Sequence, residues 1–350
     1  MEKILITGGS GFIGSNLVKY IHKNKPDWHI FNLDALTYAG NPKNHKDLEN
    51  DSRYRFIHGD ITDSALLKKI FTEHEFDGVF HLAAESHVDR SISGPEVFLT
   101  TNIMGTFKLL EAGLNHIRNH PGKAFKFIHV STDEVYGSLG FDDSAFTEET
   151  AYDPSSPYSA SKASSDHFVK AYHRTYGLPV VVTNCSNNYG PYQFPEKLIP
   201  LIILNILDGK ALPVYGKGEN VRDWLYVEDH CEALVRAFEK GSPGETYNIG
   251  GGEEKNNLQV VHALCDLVDQ KTGRKKSSRE LIRFVKDRPG HDIRYAISPD
   301  KTEKCIGFKA RFSFEKALSK TIDWYLDNMN WTRSVQTGEY QQWIQKQYSS

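Results

Sequence analysis

A tyrosine and a lysine four residues apart are the first side chains in this sequence whose types and spacing could do chemistry. Tyr158 and Lys162 follow Pro157, where a helix is predicted to begin, and this separation places both on one helix face. An ammonium beside a phenol favours the ionised phenol and lowers its pKa from about 10. No other tyrosine in the chain has Lys or Arg four residues later. We predict a tyrosine base that acts on a hydroxyl group; the alternative is a surface tyrosine with an exposed lysine.

Two adjacent carboxylates form the second candidate group. Asp133 and Glu134 follow Thr132, at the end of the strand predicted over residues 125–131. In a regular strand they would face opposite sides, but where the strand breaks into a turn both can point into one cleft. Two carboxyls in different environments can act as a protonated acid and an ionised base. A helix N-cap with acidic first-turn residues is the alternative; the predicted position opposite the Tyr-Lys pair favours the acid-base interpretation.

Three glycines indicate a nucleotide site near the N-terminus. Gly8, Gly11 and Gly14 lie between the first predicted strand and the first predicted helix. Such glycines permit a tight turn and close approach of a pyrophosphate to the helix N-terminus. Asp34, about 20 residues beyond Gly14, ends the second predicted strand, where an acid binds ribose hydroxyls and disfavours a 2′-phosphate. The motif predicts NAD rather than NADP; the alternative is an ordinary glycine turn with a surface aspartate.

The elements that must position these groups alternate along the first half of the chain. Strands are predicted over residues 4–7, 30–34, 54–58, 78–83, 125–131 and 180–184. Helices are predicted over residues 12–22, 64–73, 97–117, 159–176, 227–240, 258–272 and 314–328. This order is typical of an α/β fold with a doubly wound parallel Rossmann sheet and a smaller, mixed α/β C-terminal lobe. We expect residues 1–190 to bind the dinucleotide and residues 191–350 mainly the substrate, with residues 223–250 returning to the first domain.

Composition excludes several classes of protein. The chain has 350 residues and a formal charge of −3, without a long basic or acidic run, which argues against nucleic-acid binding. No apolar stretch approaches the roughly 18–20 residues of a membrane span, and no signal-peptide pattern precedes the first strand, so we expect a cytoplasmic protein that does not bind membranes. Cys185, Cys231, Cys265 and Cys305 are widely scattered, so neither a disulfide framework nor a metal site is expected.

Motifs spread over nearly the whole chain identify a family. They are Gly-Gly-Ser-Gly-Phe-Ile-Gly from residue 8, Leu-Asp-Ala-Leu-Thr-Tyr-Ala-Gly-Asn from 33, His-Leu-Ala-Ala-Glu-Ser-His-Val-Asp-Arg-Ser from 81, Thr-Asp-Glu from 132, Tyr158-x-x-x-Lys162, Asn-Cys-Ser-Asn-Asn-Tyr-Gly-Pro from 184 and Arg-Pro-Gly-His-Asp from 288. Together they resemble the extended short-chain dehydrogenase/reductases, and among these the family of dTDP-glucose 4,6-dehydratases. The similar UDP-galactose 4-epimerases keep the Tyr-Lys pair but lack the acid pair.

The resemblance implies a lyase that acts on dTDP-glucose and retains its NAD. NAD oxidises C4 of the sugar, water is lost across C5 and C6, and hydride returns to C6, which gives dTDP-4-dehydro-6-deoxy-D-glucose. Tyr158 would be the base at O4 with Thr132 bound to the same hydroxyl, Lys162 would hold the tyrosine and the ribose, Glu134 would be the base at C5 and Asp133 the acid at C6. A 4-epimerase, another nucleotide-sugar 4,6-dehydratase and a non-catalytic NAD-binding regulator are the alternatives; the intact catalytic residues disfavour the last.

The family also implies ligand contacts at matching positions. The NAD contacts are Gly8, Gly11, Phe12, Ile13, Gly14, Asp34, Ala35, Leu36, Thr37, Asp60, Ile61, Leu82, Ala83, Ala84, Ser86, Thr101, Tyr158, Lys162 and Asn188. The nucleotide-sugar contacts are Ser86, Thr132, Asn187, Lys197, Leu198, Pro213, Val214, Tyr215, Arg222, Asn257, Arg288, His291 and Tyr340. Arg222 and Arg288 are the expected diphosphate ligands, because a guanidinium forms paired hydrogen bonds with phosphate oxygens. A homodimer is expected through the helices over residues 97–117 and 159–176.

Overall fold

A seven-stranded parallel sheet forms the centre of the computed structural model, which describes residues 2–287 and 290–336. The strands in chain order are β1 (Glu2–Thr7), β2 (Trp28–Asp34), β3 (Tyr54–His58), β4 (Gly78–His81), β5 (Lys126–Thr132), β6 (Val180–Cys185), β7 (Asn187–Tyr189), β8 (Leu212–Tyr215), β9 (Val221–Tyr226), β10 (Thr246–Ile249), β11 (Glu254–Asn256) and β12 (Ile282–Val285). The sheet order is β10-β6-β5-β4-β1-β2-β3, with every neighbouring pair parallel. The predicted doubly wound sheet is confirmed.

Helices cover both faces of this sheet and build a second, smaller region. They are α1 (Phe12–Asn24), α2 (Ser64–His74), α3 (Val88–Ser93), α4 (Glu96–Phe98), α5 (Thr106–Asn119), α6 (Pro157–Tyr176), α7 (Leu198–Asp208), α8 (Val227–Lys240), α9 (Asn257–Thr272), α10 (Asp300–Ile306), α11 (Phe314–Asp327) and α12 (Met329–Val335). Helices α1 and α8 pack on one face of the sheet, and α2, α5 and α6 pack on the other. The smaller region packs α7, α9 and α11 around strands β7, β8 and β9.

Apolar runs explain why the central strands are parallel and buried. In β6 every residue is buried, and Val180, Val181 and Val182 have almost no exposed surface. A strand covered on both faces has no polar side to present, so its sequence does not alternate. The sheet also receives β10 beside β6, from the stretch of sequence between residues 223 and 250.

The helix predicted over residues 97–117 is confirmed as a continuous helical stretch over residues 96–119, but it is not a regular α-helix throughout. The structure has the short helix α4, a π-helical segment over Leu99–Gly105 and then α5. Inside the π segment, the carbonyl of Asn102 accepts hydrogen bonds from the hydroxyls of Thr106 at 2.6 Å and Ser165 at 2.7 Å. Hydroxyl donors that compete for a helix carbonyl disturb the regular hydrogen-bond ladder, and π segments of this kind occur often at functional sites.

The described residues contain neither a membrane-spanning helix nor a cluster of metal-ligating side chains. Over residues 2–287 and 290–336, no helix is long and apolar enough to cross a membrane. The same residues contain no group of three or more His, Cys, Asp or Glu side chains that could hold a metal ion. The four cysteines are free thiols, of which only Cys305 is exposed.

Candidate active site

A cleft opens where the carboxyl ends of the central strands meet, and its floor begins at the glycine turn. Gly8 begins the turn after β1 with a φ of 72°, and a Cβ there would lie 2.7 Å from the backbone nitrogen of Ala83. A Cβ on Gly14 would lie 2.1 Å from the carbonyl oxygen of Gly8. Helix α1 therefore begins directly against the strand ends, as a dinucleotide cradle requires.

The first turn of α1 is open to an anion. Gly11 is the N-cap residue, and no side chain in the described part of the protein caps the helix there. Gly8, Gly11 and Gly14 all line the cleft together with Phe12 and Ile13. Uncapped N–H groups at a helix N-terminus suit a phosphate, so this turn fits the pyrophosphate of a dinucleotide.

Asp34 closes the far side of the same cradle. It ends β2 and is buried, and its two carboxylate oxygens accept hydrogen bonds from the backbone N–H of Ser10 at 2.9 Å and of Leu36 at 2.8 Å. Burial raises the pKa of Asp34, and these two N–H groups act against that rise. The carboxylate is thus held rigidly at the cleft wall, where it fits ribose hydroxyls and opposes a 2′-phosphate.

The Tyr-Lys pair lies at the centre of the cleft, because α6 begins there. A capping box between Ser156 and Ser159, with Pro157 in the first turn, begins the helix at the predicted place. Tyr158 and Lys162 are both buried and both line the cleft. The ammonium of Lys162 donates a hydrogen bond to the carbonyl of Val130 at 2.9 Å.

The expectation that Lys162 lowers the pKa of Tyr158 is wrong for this structure. Burial raises the pKa of Tyr158 well above its ordinary value, and the nearby charge of Glu134 adds to the rise. Burial likewise lowers the pKa of Lys162, since the charged ammonium is removed from water. The tyrosine therefore carries its proton here, because desolvation of the phenolate outweighs the attraction of the ammonium.

Thr132, Asp133 and Glu134 line the cleft on the opposite side. Strand β5 ends at Thr132, and a short 3-10 helix over Asp133–Tyr136 follows at once. The Thr132 hydroxyl caps this turn by accepting the N–H of Glu134 at 3.3 Å. The N-cap interpretation is confirmed, and the capped turn also brings both carboxylates to one cleft, as the acid-base interpretation requires.

Asp133 is held as a neutral acid. It is 2% exposed, and among the described residues no group forms a hydrogen bond to its Oδ2 atom. Burial raises the pKa of Asp133 well above its ordinary value, and the charges of Glu134 and Asp223 raise it further, while Arg222 lowers it. A carboxyl kept protonated at neutral pH can donate its proton to a leaving group.

The structure brings most of the predicted site residues to this cleft. The predicted residues that line it are Gly8, Gly11, Phe12, Ile13, Gly14, Asp34, Ala35, Thr37, Asp60, Ile61, Leu82, Ala83, Ala84, Ser86, Thr101, Thr132, Asp133, Glu134, Tyr158, Lys162, Asn187, Asn188 and Lys197. They come from segments far apart in sequence. Their convergence follows from the parallel sheet, whose strands all end at the same edge.

Other predicted residues lie outside this lining. They are Leu36, Leu198, Pro213, Val214, Tyr215, Arg222, Asn257 and His291. Arg288 and Tyr340 lie outside the described residues. Several of the group meet in the smaller region: β8, which contains Pro213, Val214 and Tyr215, pairs with β12, and the ring of Tyr215 lies 6.1 Å from that of His291.

Arg222 connects this group to the catalytic acids. It is buried on β9, and its guanidinium donates to the carbonyl of Asp292 at 3.0 Å and lies 4.2 Å from the ring centroid of Tyr295. Its charge also lowers the pKa of Asp133. The guanidinium therefore lies between the cleft and the smaller region. There it could bind an anionic group of a ligand that extends from one to the other.

Some cleft residues were not predicted. They are Leu33, Ala39, Gly40, Gly59, Glu85, Val130, Ser131, Cys185, Ser186, Gln193 and Phe194. Glu85, Cys185 and Ser186 lie within the family motifs given above, so the predicted residues next to them could have indicated that they also line the cleft. Gln193 and Phe194 follow a Gly-Pro turn, and no spacing in the sequence indicates that they fold back over the cleft.

The fold and the cleft together define the class of protein. A parallel sheet of this order, a glycine turn with an acid at the end of β2, and a Tyr-x-x-x-Lys helix together characterise the NAD-binding extended short-chain dehydrogenase/reductases. A family model described as GDP-mannose 4,6 dehydratase matches residues 5–321.

Comparison with individual proteins is more specific. A dTDP-glucose 4,6-dehydratase of Shigella flexneri is 56% identical and is aligned over 99% of each chain. Among solved structures, the dTDP-glucose 4,6-dehydratase of Bacillus anthracis in complex with NAD has a TM-score of 0.86 at 45% identity, covering 96% of this chain and 100% of that one. DesIV, the dTDP-glucose 4,6-dehydratase of Streptomyces venezuelae, has a TM-score of 0.88 at 44% identity, covering 95% and 99%. The chain belongs to the family of dTDP-glucose 4,6-dehydratases.

Proposed function

We propose that this protein removes water from dTDP-glucose to form dTDP-4-dehydro-6-deoxy-D-glucose. The observation that carries the proposal is the placement of Asp133 and Glu134 in the same cleft as Tyr158 and Lys162. The Tyr-Lys pair alone serves oxidation and reduction at one carbon. An acid and a base in addition permit elimination from the neighbouring carbons.

NAD fits the cradle that the glycine turn and Asp34 form. The residues that would hold it are those of the turn, the ends of β2, β3 and β4, and the pair Tyr158 and Lys162. When bound, NAD supplies a reversible hydride acceptor for the sugar. The chain itself supplies the uncapped helix N-terminus and the carboxylate that accepts from the ribose.

The remaining chemistry belongs to side chains of the protein. Tyr158 must first lose its own phenolic proton, a loss that the Lys162 ammonium favours and burial opposes; the phenolate then takes the proton of the sugar O4. Thr132 hydrogen-bonds the same hydroxyl. The resulting ketone acidifies the C5 proton, which Glu134 removes. Asp133, which burial keeps protonated, gives its proton to the C6 hydroxyl so that this group leaves as water. Glu134 then returns its proton to C5 when hydride returns to C6, which completes the 6-deoxy product.

The nucleotide end of the substrate extends into the smaller region. The proposed contacts are Ser86, Thr132, Asn187, Lys197, Leu198, Pro213, Val214, Tyr215, Arg222, Asn257, Arg288, His291 and Tyr340. Arg222 and Arg288 bind the diphosphate. We also propose that residues 1–190, with residues 223–250, form the NAD domain and that the rest forms mainly the substrate domain, in agreement with the strand pairing of β10 and β6.

Exposed apolar side chains support a homodimer. Val97, Leu99 and Met104 lie on α4 and the π segment, and Phe168 and Tyr176 lie on the adjacent α6. Each of these five residues has between 42% and 52% of its surface exposed. Neighbouring apolar groups in this number are typical of a surface that a partner covers. We propose that a second copy covers it, and that the enzyme acts in the cytoplasm, where nucleotide sugars and NAD are available.

Incubation with dTDP-glucose tests the proposed function. Mass spectrometry should show a product lighter by one water, and deuterium placed at C4 should be recovered at C6. UDP-glucose is the matched substrate, and the ratio of the two rates measures the preference for thymidine. A product of unchanged mass with inverted C4 would indicate a 4-epimerase instead, and no product with any nucleotide sugar would favour a non-catalytic protein.

A further inference from the structure

A buried carboxylate outside the cleft lies one helical turn after Lys162. Asp166 on α6 has no exposed surface. Its Oδ2 atom accepts hydrogen bonds from the hydroxyl of Ser131 at 2.8 Å and from that of Tyr152 at 3.0 Å. Its Oδ1 atom lies 3.1 Å from Nε2 of His129. Asp166 therefore joins α6 to β5 directly beneath the catalytic groups.

The polar groups in contact with Asp166 do not cancel its charge. Ser131 and Tyr152 are neutral hydroxyls, and burial lowers the pKa of His129 to about 4, so this imidazole is neutral at physiological pH. The cations nearest in sequence are Lys162 and Lys170, four residues before and after Asp166 on the same helix face. Burial lowers the pKa of each lysine, and the charge of Asp166 opposes that fall.

Several other titratable groups surround Lys162. They are Tyr158 on α6, His81 on β4, His129 on β5, Asp133 and Glu134 after β5, and Cys185 on β6. Burial lowers the pKa of both histidines and raises that of the Cys185 thiol to about 12, so the imidazoles and the thiol are uncharged at neutral pH. Asp133 is kept protonated as described above. Glu134 lines the cleft together with Lys162, whereas Asp166 is the carboxylate that opposes the fall in the pKa of Lys162 from within the protein.

We infer that Asp166 is a positioning residue whose buried charge keeps the ammonium of Lys162 protonated and ties the strand of Thr132 to the helix of Tyr158. It touches neither the cleft nor any reacting atom, and it acts through Lys162. The inference gives a role in the proposed reaction to a residue that the motifs of the sequence do not include. Its kinetic consequence rests on the proposed function, but its effect on Lys162 does not.

Labelling of the lysine by cyanate tests the inference without substrate. Only the neutral amine reacts, so the rate at a given pH reports how much of Lys162 is deprotonated. Asp166→Asn keeps the size of the side chain and removes its charge, which should lower the pKa of Lys162 by about one unit. Labelling of Lys162 at about pH 8, followed by peptide mass spectrometry, should then be about tenfold faster than in the unaltered protein.

Tyr152→Phe is the matched control. It removes one hydrogen bond to Asp166 and leaves the carboxylate charge in place. It should label Lys162 at the rate of the unaltered protein. Two outcomes would show that Asp166 acts only as a packing and hydrogen-bonding group. One is that Lys162 is labelled equally fast in Asp166→Asn and in the unaltered protein; the other is that it is labelled faster in Tyr152→Phe than in Asp166→Asn.

The pH profile of turnover provides a second readout. In Asp166→Asn the alkaline limb should move to lower pH by about one unit, and Asp166→Glu should move it back. If circular dichroism shows that Asp166→Asn does not fold, the rate of Lys162 labelling in the unaltered protein is measured against pH instead. A midpoint below about pH 7 would mean that Lys162 is mostly neutral at physiological pH, and this would overturn the inference. If the unaltered protein does not convert dTDP-glucose, the proposed function fails while the labelling comparison still tests Asp166.

Discussion

At the scale of single residues, burial decides what the catalytic groups do. Asp133 and Glu134 are neighbours in sequence, yet Asp133 is 2% exposed while Glu134 is only partly buried. The difference arises because β5 ends at Thr132 and the following turn directs one carboxyl into the protein. Two identical functional groups thereby become an acid and a base, since desolvation disfavours the charged form.

Glu134→Gln should separate oxidation from elimination. The amide cannot take the C5 proton, so product formation should fall by about 10²–10⁴-fold while oxidation at C4 continues. The measurements are absorbance of the reduced cofactor and exchange of the C5 hydrogen with deuterated water, which should be lost. Tyr158→Phe is the comparison, because it should suppress both signals by blocking the first step. Unchanged turnover of Glu134→Gln would remove this residue from the mechanism.

Asp133→Asn should stabilise the protein in a pH-dependent way. Burial raises the pKa of Asp133 in the folded state above the value of about 3.9 in the unfolded chain. At a pH between these two pKa values, Asp133 keeps its proton in the folded state and releases it in the unfolded state. The free energy of unfolding of the unaltered protein therefore falls as pH rises through this range. The variant lacks this loss, and its advantage in melting temperature should be small near pH 4 and grow toward neutral pH.

Thermal unfolding without added nucleotide measures this effect. Asp27→Asn is the control, because Asp27 is exposed, and its melting temperature should follow that of the unaltered protein across the pH range. An advantage of Asp133→Asn that stays constant with pH would mean that the carboxyl is not held neutral by the fold.

At the scale of elements, the start of α1 determines whether a dinucleotide can bind. The helix approaches the end of β1 so closely that a Cβ on Gly14 would meet the Gly8 carbonyl at 2.1 Å and the Gly9 Cα at 2.6 Å. Both contacts are with backbone, which cannot rotate away as a flexible side chain would. The same closeness aims the uncapped N–H groups of the helix at the cleft.

Gly14→Ala should therefore abolish retention of NAD. The helix must move away from the strand ends, and the pyrophosphate cradle is lost. Gly113→Ala is the matched control: this glycine also lies in a helix, and a Cβ there would meet nothing closer than 3.5 Å. That variant should keep NAD and gain about 0.5–1 kcal/mol in stability, because alanine favours a helix. Cofactor content of the purified proteins, read by absorbance and mass spectrometry, checks both; full occupancy in Gly14→Ala would contradict the cradle.

At the scale of the whole molecule, the surface formed by α4, the π segment and α6 connects assembly with catalysis. Helix α6 carries Tyr158 and Lys162 on its buried face, and Phe168 and Tyr176 on its exposed face. A partner that covers the exposed face also fixes the helix that holds the catalytic pair. Loss of the partner should thus affect turnover as well as the state of assembly.

Leu99→Glu combined with Phe168→Glu should convert the proposed dimer into a monomer. Burial of four unpaired carboxylates between two copies is unfavourable, since each charge would lose its water. Phe141→Glu is the control, because Phe141 is 61% exposed on another part of the chain and should leave the dimer intact. Sedimentation velocity measures both. A dimer in the double variant, or a monomer in the unaltered protein, would reject this surface as the interface.

Local sequence patterns predicted the strands and helices well where a single run of apolar residues or an undisturbed helical hydrogen-bond pattern forms the element. Strand β3 and helix α8 have the predicted bounds, and most other elements differ by one or two residues. The helical stretch predicted over residues 97–117 is present, but its π segment, where hydroxyls of Thr106 and Ser165 compete for the Asn102 carbonyl, was not predicted. Ser165 is distant in sequence, so no local pattern could reveal that competition.

The sequence by itself determined the order of the elements, the glycine turn and the choice of candidate reacting groups, because these depend on residue type and short spacing. Only the tertiary structure decided their charge states. Tyr158 and Lys162 were expected to favour a phenolate through their spacing, yet both are buried, and desolvation holds the phenol protonated. Tertiary structure also brought His129 of β5 to within 3.1 Å of Asp166 on α6. Desolvation and through-space charge depend on everything that surrounds a group, and most of those neighbours are far away along the chain.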